Sequence, residues 1–403
     1  MEKTLKDLLR LILPLSKTRR QHLEAYQSYL EPNQAEHAKH LFKRKLIGIS
    51  YRTLDVNQHY AKSRAYPQAD LAKEDKELSK TVSAWNATIE RQAEEKAHEE
   101  FSRKAQTAIP KLIAPHIVGM DAAKKAAAWQ LFSKERFHIL LLGDPGTGKT
   151  EILRATDQFA PKSSFGLGSG TSGAGLSAAK KGNKLVKGLL PQAHKGIACL
   201  DELNLMKTQD RGALLNAMEK GFVTYDKGGT HQQIPAEARI LATANPKGDR
   251  FVGASIQFLK EQLPFDPALL SRFHLVFFIR RPSKQEFLRI TRQVVRDDKQ
   301  RITAGDVKFI RGYIEHAHNL DVKFDKTLEP MITDAFDDLK SNEDDYLVEL
   351  SPRLVLGVVR MAKARARMAL RQKTTQKDLE EALQVFKKSL TVEPDHIARS
   401  RKK

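Results

Sequence analysis

A short glycine-rich segment, GDPGTGKT at Gly143–Thr150, combines the residue types that hold phosphate groups. It matches the spacing G-x-x-x-x-G-K-[ST] and directly follows the apolar run HILLL. In such a loop the glycines let backbone N–H groups approach the phosphates, the lysine reaches the β and γ phosphates, and the threonine coordinates Mg²⁺. We therefore predict a site for ATP and Mg²⁺ made by Gly143, Asp144, Pro145, Gly146, Thr147, Gly148, Lys149 and Thr150.

Two adjacent carboxylates, Asp201 and Glu202, end the apolar run GIACLDEL. In an ATPase, the first carboxylate holds Mg²⁺ through water and the second polarises the attacking water as a general base. Acidic residues that cap the following helix are the alternative. Because a phosphate loop lies upstream, we favour Asp201 as a nucleotide and Mg²⁺ residue and Glu202 as the catalytic base.

Two more polar residues follow or precede apolar runs. Asn245, in LATANP, could orient the attacking water, although an Asn-Pro pair also suits a plain turn. Arg272, in LLSRFH, has a position from which an arginine could reach the γ-phosphate on a neighbouring subunit. An exposed structural arginine is the alternative for Arg272.

These residues lie on a predicted α/β core, residues 106–282, in which short apolar runs alternate with helical patterns. That alternation is typical of a parallel sheet covered by helices on both faces. We predict a helical lid over residues 283–395 and a basic tail over residues 396–403. Residues 1–105 are predicted to form a separate helical N-terminal domain without a motif that carries chemistry.

Composition restricts the classes of partner. The chain of 403 residues has 69 Lys and Arg against 49 Asp and Glu, and this net charge of +20 favours a polyanion such as nucleic acid. The single cysteine, Cys199, excludes a disulfide framework or four-cysteine zinc site within the chain and indicates a reducing compartment. No apolar run approaches the roughly 20 residues that span a bilayer. We expect a cytoplasmic, intracellular protein without a signal peptide or membrane anchor.

Taken in their order along the chain, these motifs resemble the AAA+ ATPase module of the minichromosome maintenance (MCM) replicative helicases. The resemblance covers about Ile109 to Leu390 and runs from PHIVGMDAAKKAAAWQLF through GDPGTGKT, TSGAGLSAA, GIACLDELNLM and EARILATANPKGDRF to PALLSRFHLVFFI and SPRLVLGVVRMAKARARM. It implies an ATP-dependent DNA helicase or translocase of replication or repair, nucleoid-associated in a prokaryote. It also implies a hexameric homo-oligomer in which Arg272, as the arginine finger, and Arg353, as the sensor-2 arginine, act on the adjacent subunit's ATP.

The resemblance also assigns two hairpins to the central channel. The first follows TSGAGLSAA and carries Lys180, Lys181, Lys184 and Lys187, with Gly182 and Asn183 at its turn. The second lies in FVTYDKGGTHQQIPAEARI, where Lys227 matches the family's DNA-contacting lysine and residues 226–229 form the turn. Such lysines would bind single-stranded DNA independently of its sequence. Solvated loops are one alternative, and a second basic segment, Arg360 to Lys373, is another possible DNA surface.

Some family features have no counterpart in this sequence. We expect no oligonucleotide-binding or zinc module before the ATPase module and no winged helix after it. His274 and Asn204 stand where the family has Asp, and Lys220 where it has Gln. DELNLM also resembles the magnesium-chelatase ATPases, so a protein-remodelling ATPase is the alternative enzyme. A non-motor factor that uses ATP to assemble on DNA or on other replication factors is the third hypothesis.

Overall fold

A computed structural model describes residues 94–182, 184–227, 230–253, 255–296 and 302–391. The part from His98 onward forms one compact unit. Its described residues contain nine strands: β1 Ile139–Gly143, β2 Ser163–Leu167, β3 Ala178–Lys181, β4 Lys184–Lys187, β5 Ile197–Asp201, β6 Phe222–Lys227, β7 Thr230–Pro235, β8 Arg239–Ala244 and β9 Leu275–Ile279. Five of them form a parallel sheet in the order β2-β5-β8-β1-β9.

Helices precede, connect and follow the strands. The first, α1, covers residues 94–112. The others in the core are α2 Asp121–Phe132, α3 Lys149–Phe159, α4 Gly173–Leu176, α5 Leu189–Gln192, α6 Gly212–Lys220, α7 Ile256–Glu261 and α8 Pro267–Leu270. After the sheet come α9 Lys284–Arg296, α10 Ala304–His318, α11 Glu329–Ser341, α12 Pro352–Met368 and α13 Gln376–Leu390. The predicted α/β AAA+ core with a helical lid is confirmed.

The central strands are apolar on both sides because the sheet is covered on both faces. Along β1, Ile139 and Leu141 belong to one buried cluster, whereas Leu140 and Leu142 belong to the other. This division follows from the two-residue period of a strand, which sends successive side chains to opposite faces. Continuous apolar runs, as opposed to alternating ones, are therefore what a doubly covered parallel strand requires.

Two antiparallel hairpins are inserted into this core. Strands β3 and β4 separate the short helices α4 and α5, and their register places Lys181 opposite Lys184. Gly182, which follows Lys181, has a φ angle of 59°, which suits a tight turn, whereas Asn183 of the predicted turn lies outside the described residues. Strands β6 and β7 pair from Phe222 opposite Pro235 to Lys227 opposite Thr230. Both predicted hairpins are therefore present.

Buried charged side chains join the lid helices to one another and to the core. Asp378 on α13 is fully buried and accepts hydrogen bonds from Arg365 at 2.6 Å and from Arg371 at 2.6 and 2.7 Å. Arg367, also on α12, is 1% exposed and donates to the carbonyl oxygen of Phe132, at the end of α2, at 2.8 Å. The lid and α2 are thus joined by directed polar contacts as well as apolar packing.

The second basic segment, from Arg360 to Lys373, makes contacts of this kind. Each of its cationic side chains has a partner within the chain: an anionic side chain, a backbone carbonyl or, for Arg360, also a histidine ring. The six are Arg360, Lys363, Arg365, Arg367, Arg371 and Lys373. Sequence alone suggested a cationic surface here, whereas the structure uses most of these charges to fix α12 in place.

The boundary predicted near residue 105 falls inside α1, which continues to residue 112. Residues 1–93 and the basic tail, residues 396–403, lie outside the described residues, so the separate N-terminal domain and the tail stay predictions. No helix in the described part of the chain is both long and apolar enough to cross a membrane.

Removing the charge of Asp378 should destabilise the protein strongly. Burial raises the pKa of Asp378, but hydrogen bonds from Arg371 and Thr375 outweigh burial and lower the pKa overall. We expect Asp378→Asn, which leaves two arginines without their carboxylate, to lower the free energy of unfolding by about 3–5 kcal/mol. Denaturant unfolding would measure this loss, with the exposed Asp334→Asn as the control expected to change it little.

The same carboxylate predicts a pH dependence. Because its pKa is lower in the folded state than in the unfolded chain, its stabilising contribution is present above about pH 4 and is lost as the pH falls below that value. The difference between wild type and Asp378→Asn should therefore shrink in acid. A difference that stays constant from neutral to acidic pH would contradict this role.

Candidate nucleotide site

The phosphate loop depends on glycine at defined positions. It connects β1 to α3, and at Gly143 an added Cβ would lie 1.9 Å from the carbonyl oxygen of Ile279. Gly146 and Gly148 have φ angles of 76° and 88°, in the left-handed region that glycine adopts without strain. The loop can therefore approach β9 closely and present its backbone amides at the start of α3, where anions bind.

Asp144 fixes the loop to two neighbouring segments. Its buried carboxylate accepts hydrogen bonds from the backbone amides of Phe251 at 2.9 Å and Arg281 at 3.1 Å. Phe251 follows β8, and Arg281 follows β9. Within the loop, the hydroxyl of Thr147 donates to the carbonyl oxygen of Asp144 at 2.8 Å. The loop is thus held in one position by side-chain contacts at the carboxyl edge of the sheet.

Lys149 places its ammonium inside this loop. The side chain is 6% exposed, and Nζ donates to the carbonyl oxygens of Gly143 at 2.8 Å and Asp144 at 2.6 Å. Burial lowers the pKa of Lys149 to about 8, although Asp144, Asp201 and Glu202 act in the opposite direction. A partly dehydrated ammonium, held by backbone carbonyl oxygens within the loop, is well suited to a phosphate oxygen.

The residues predicted to hold Mg²⁺ lie next to each other. Thr150 is the second residue of α3, and its hydroxyl lies 3.1 Å from Asp201 Oδ1, at the end of β5. A hydroxyl and a carboxylate are hard oxygen donors, and Mg²⁺ is usually held by one or two such groups together with substrate phosphates and waters. These two residues therefore fit Mg²⁺. Within the described residues, no group of three or more His, Cys, Asp or Glu could hold a metal ion.

Glu202 and Asn245 stand at the same edge of the sheet. Glu202 is exposed and adopts a left-handed backbone conformation, with φ 53° and ψ 46°. Asn245 follows β8, and its backbone amide donates to Asn204 Oδ1 at 3.0 Å. Asn204, which stands where the family has Asp, therefore joins the segment after β5 to the segment after β8.

Thr243 on β8 also belongs to this group, although it is not among the residues predicted from the sequence. Its buried hydroxyl lies 2.5 Å from Asp201 Oδ1 and accepts the backbone amide of Glu202 at 2.9 Å. In the sequence, the only indication of this role is that Thr243 is a polar residue between the alanines of the apolar run RILATA.

The structure places Arg272 away from this group. Arg272 lies just before the first residue of β9. The phosphate loop begins at the last residue of the neighbouring parallel strand β1, where Gly143 lies opposite Ile279, the last residue of β9. Five residues of strand extend about 16 Å, which is more than an arginine side chain can span. Arg272 instead forms an ion pair with Glu219 at 2.6 Å.

Arg353 belongs to the same cationic group as Arg272. Burial lowers the pKa of Arg353, the nearby Arg272 lowers it further, and Glu219 opposes both. Arg353 thus lies near the Arg272–Glu219 ion pair, at the end of the core where β9 begins.

The hairpin lysines lie on strands at the protein surface. The side chains of Lys180, Lys184 and Lys187 are exposed. Ala178 and Leu185 share one face of this hairpin, and both belong to or pack against a buried cluster, so that face is anchored on the core. Lys227 is the last residue of β6. The side chains of Lys181 and Lys227 lie outside the described part of the structure.

Family models match most of the part from residue 94 onward. The MCM P-loop domain matches residues 94–297, and the MCM AAA-lid domain matches residues 308–390. The minichromosome maintenance protein MCM of Saccharolobus solfataricus is 30% identical over 298 residues, 68% of this chain and 43% of that protein.

Other relatives match a similar share of the chain. The DNA replication licensing factor mcm7-B of Xenopus laevis is 29% identical over 72% of this chain and 44% of that protein. An uncharacterized MCM-type protein of Methanocaldococcus jannaschii is 31% identical over 68% of this chain and 44% of its own length. The chain therefore spans less than half the length of these relatives.

ATP affinity should depend on the protonation of Lys149. With a pKa of about 8 before binding, the ammonium is mostly protonated at about pH 7 and mostly neutral at about pH 9, so binding should weaken roughly tenfold between them. Equilibrium titration with a fluorescent ATP analogue would measure this. In the Lys149→Arg control the guanidinium stays charged, so the remaining affinity should lose this dependence. Equal wild-type affinity at both pH values would contradict the prediction.

Proposed function

Because this chain belongs to the minichromosome maintenance (MCM) family, we propose that it is an ATP-driven motor that moves along or unwinds DNA as an oligomeric ring. The observation that supports this most directly is the separation of the phosphate loop from Arg272 and Arg353. Each subunit carries both halves of an ATP site but cannot join its own halves. A second copy can supply the missing half.

The first half of the site contains the groups that bind ATP and activate water. Lys149 and the loop amides would bind the phosphates, and Thr150 with Asp201 would hold Mg²⁺. Glu202 would act as the general base, and Asn245 would orient the attacking water. Developing negative charge on the phosphates is stabilised best by fixed cations and dipoles that need no rearrangement.

The second half consists of Arg272 and Arg353 from the neighbouring subunit. An arginine that approaches the γ-phosphate neutralises charge in the transition state and is worth about 10³–10⁵ in rate in related chemistry. Contact between different surfaces of identical subunits closes into a ring when the rotation permits. A hexamer is the ring size we propose.

The two hairpins are the proposed DNA contacts. Three of their lysines are exposed and the other two end a strand, whereas the six cations from Arg360 to Lys373 have partners within the chain. Lysines that neutralise backbone phosphates bind any sequence, as a motor on DNA requires. This favours single-stranded DNA as the substrate track, with other replication factors as further partners.

Single-stranded DNA should stimulate ATP hydrolysis by the wild-type protein. Replacing Lys180, Lys181, Lys184, Lys187 and Lys227 by alanine should leave basal hydrolysis but remove the stimulation, because these residues lie outside the phosphate loop. Each lost phosphate contact should also flatten the salt dependence of DNA binding by a slope of roughly 0.7. Steady-state hydrolysis and binding at several salt concentrations would measure both effects.

A charge-matched control replaces five exposed lysines of the lid instead, Lys308, Lys323, Lys326, Lys377 and Lys388, and should keep the stimulation. Glu202→Gln should bind ATP without hydrolysing it, which excludes a contaminating ATPase. Wild-type hydrolysis without any response to DNA would favour the magnesium-chelatase-like remodelling ATPase. DNA binding without hydrolysis would favour the non-motor factor.

Mixing two inactive variants should restore activity if ATP sites are shared. Lys149→Ala loses the phosphate ligand and Arg272→Ala loses the finger, so neither forms a complete site alone. With free subunit exchange at equal amounts, about one quarter of the interfaces join an intact Lys149 to an intact Arg272. ATP hydrolysis as a function of the mixing ratio would measure this.

The matched control mixes Arg272→Ala with the double variant Lys149→Ala/Arg272→Ala. No interface in that mixture has an intact arginine, so it should stay inactive. If the first mixture is also inactive despite demonstrated exchange, Arg272 does not act in trans.

A further inference from the structure

One buried hydroxyl lies between the two acidic residues of the proposed ATP site. Thr243 on β8 is 2% exposed, and its Oγ1 lies 2.5 Å from Asp201 Oδ1, as donor, and 2.9 Å from the backbone nitrogen of Glu202, as acceptor. A hydroxyl has one hydrogen to donate and two lone pairs to accept with. The same group can therefore serve both neighbours at once.

The contact to Glu202 fixes the turn that follows β5. The pairing of β5 with β8 ends at Leu200 opposite Ala242, so the amide of Glu202 has no partner in the ladder. Glu202 is also in the left-handed region at φ 53°, which non-glycine residues seldom adopt. By accepting this amide, Thr243 holds the turn that determines where the Glu202 carboxylate points.

The contact to Asp201 holds its carboxylate from β8, in addition to the contact from Thr150 at the end of the phosphate-loop motif. Asp201 Oδ1 receives hydrogen bonds from Thr243 and, at 3.1 Å, from Thr150 at the start of α3. With Oδ1 engaged by two hydroxyls, the carboxylate has a defined rotation about its side-chain bond. Asp201 is 5% exposed, so bulk water has little access to replace either contact.

We propose that Thr243 is a positioning residue for ATP hydrolysis, because its hydroxyl sets the geometry of both Asp201 and Glu202. This inference rests on the proposed ATPase function. Thr243 would act through its two neighbours and not on the nucleotide directly. Loss of its hydroxyl should weaken the Mg²⁺-dependent part of nucleotide binding and slow hydrolysis. Binding without Mg²⁺, which depends on the loop amides and Lys149, should persist.

The test compares Thr243→Val, which keeps the branched shape but removes the hydroxyl, with Thr243→Ser, which keeps the hydroxyl. A fluorescent ATP analogue is titrated with and without Mg²⁺, and kcat and KM are measured separately. We expect Thr243→Val to lower kcat, and to reduce the gain in affinity caused by Mg²⁺, by about 10- to 100-fold, as for residues that orient metal ligands. Thr243→Ser should restore most of both.

Thr156→Val is a matched control for loss of a buried hydroxyl. Thr156 is fully buried on α3, but its hydroxyl donates only to the Ile152 carbonyl oxygen of its own helix, at 2.8 Å. It should keep the wild-type kcat and Mg²⁺ dependence. If Thr243→Val does not fold, Thr243→Ala replaces it, since β8 already contains Ala242 and Ala244.

Two outcomes would overturn the proposal. One is wild-type kcat and Mg²⁺ dependence in folded Thr243→Val or Thr243→Ala. The other is an equal loss in Thr156→Val, which would assign the effect to general destabilisation. Failure of the wild type to hydrolyse ATP would instead contradict the proposed function. The Mg²⁺ dependence of nucleotide binding would still decide whether Thr243 orients Asp201.

Discussion

The common direction of five parallel strands is the constraint on which the rest of this molecule depends. The carboxyl ends of β1, β5 and β8 meet at one edge, which gathers Lys149, Asp201 and Asn245 from distant parts of the chain. The residues before β9, including Arg272, must then lie at the opposite edge. A site that needs both sets is incomplete within one subunit for a reason of geometry, independent of any detail of side-chain conformation.

At the carboxyl edge of the sheet, single side chains each hold more than one segment of the chain. The Asp144 carboxylate joins the phosphate loop to two other segments, and Thr243 joins the acidic residues Asp201 and Glu202 to β8. Each is buried, where a hydrogen bond is stronger and an unsatisfied group is costly. The strain of Glu202 is tolerated because these contacts determine the surrounding backbone.

The sequence predicted the apolar strands β1, β5, β8 and β9, because strands buried on both faces are recognisable from composition alone. It did not predict β2, whose residues SSFGL are polar, partly exposed and interrupted by glycine at the edge of the sheet. The phosphate loop was predictable because its function needs local spacing. Thr243 was not, since its importance arises only when β8 lies beside β5.

The basic residues of the lid also have partners that could not be predicted from the sequence. A count of cations along α12 suggests a DNA surface, but Arg365 and Arg371 meet one carboxylate from α13. Arg360 lies 2.8 Å from His274, two residues after Arg272, and also contacts a backbone carbonyl of the core. Since α12 also carries Arg353, these contacts join the helix that bears Arg353 to the segment that bears Arg272. Some of the charges that make the chain basic thus help to hold in place the two arginines that we propose act on a neighbouring subunit.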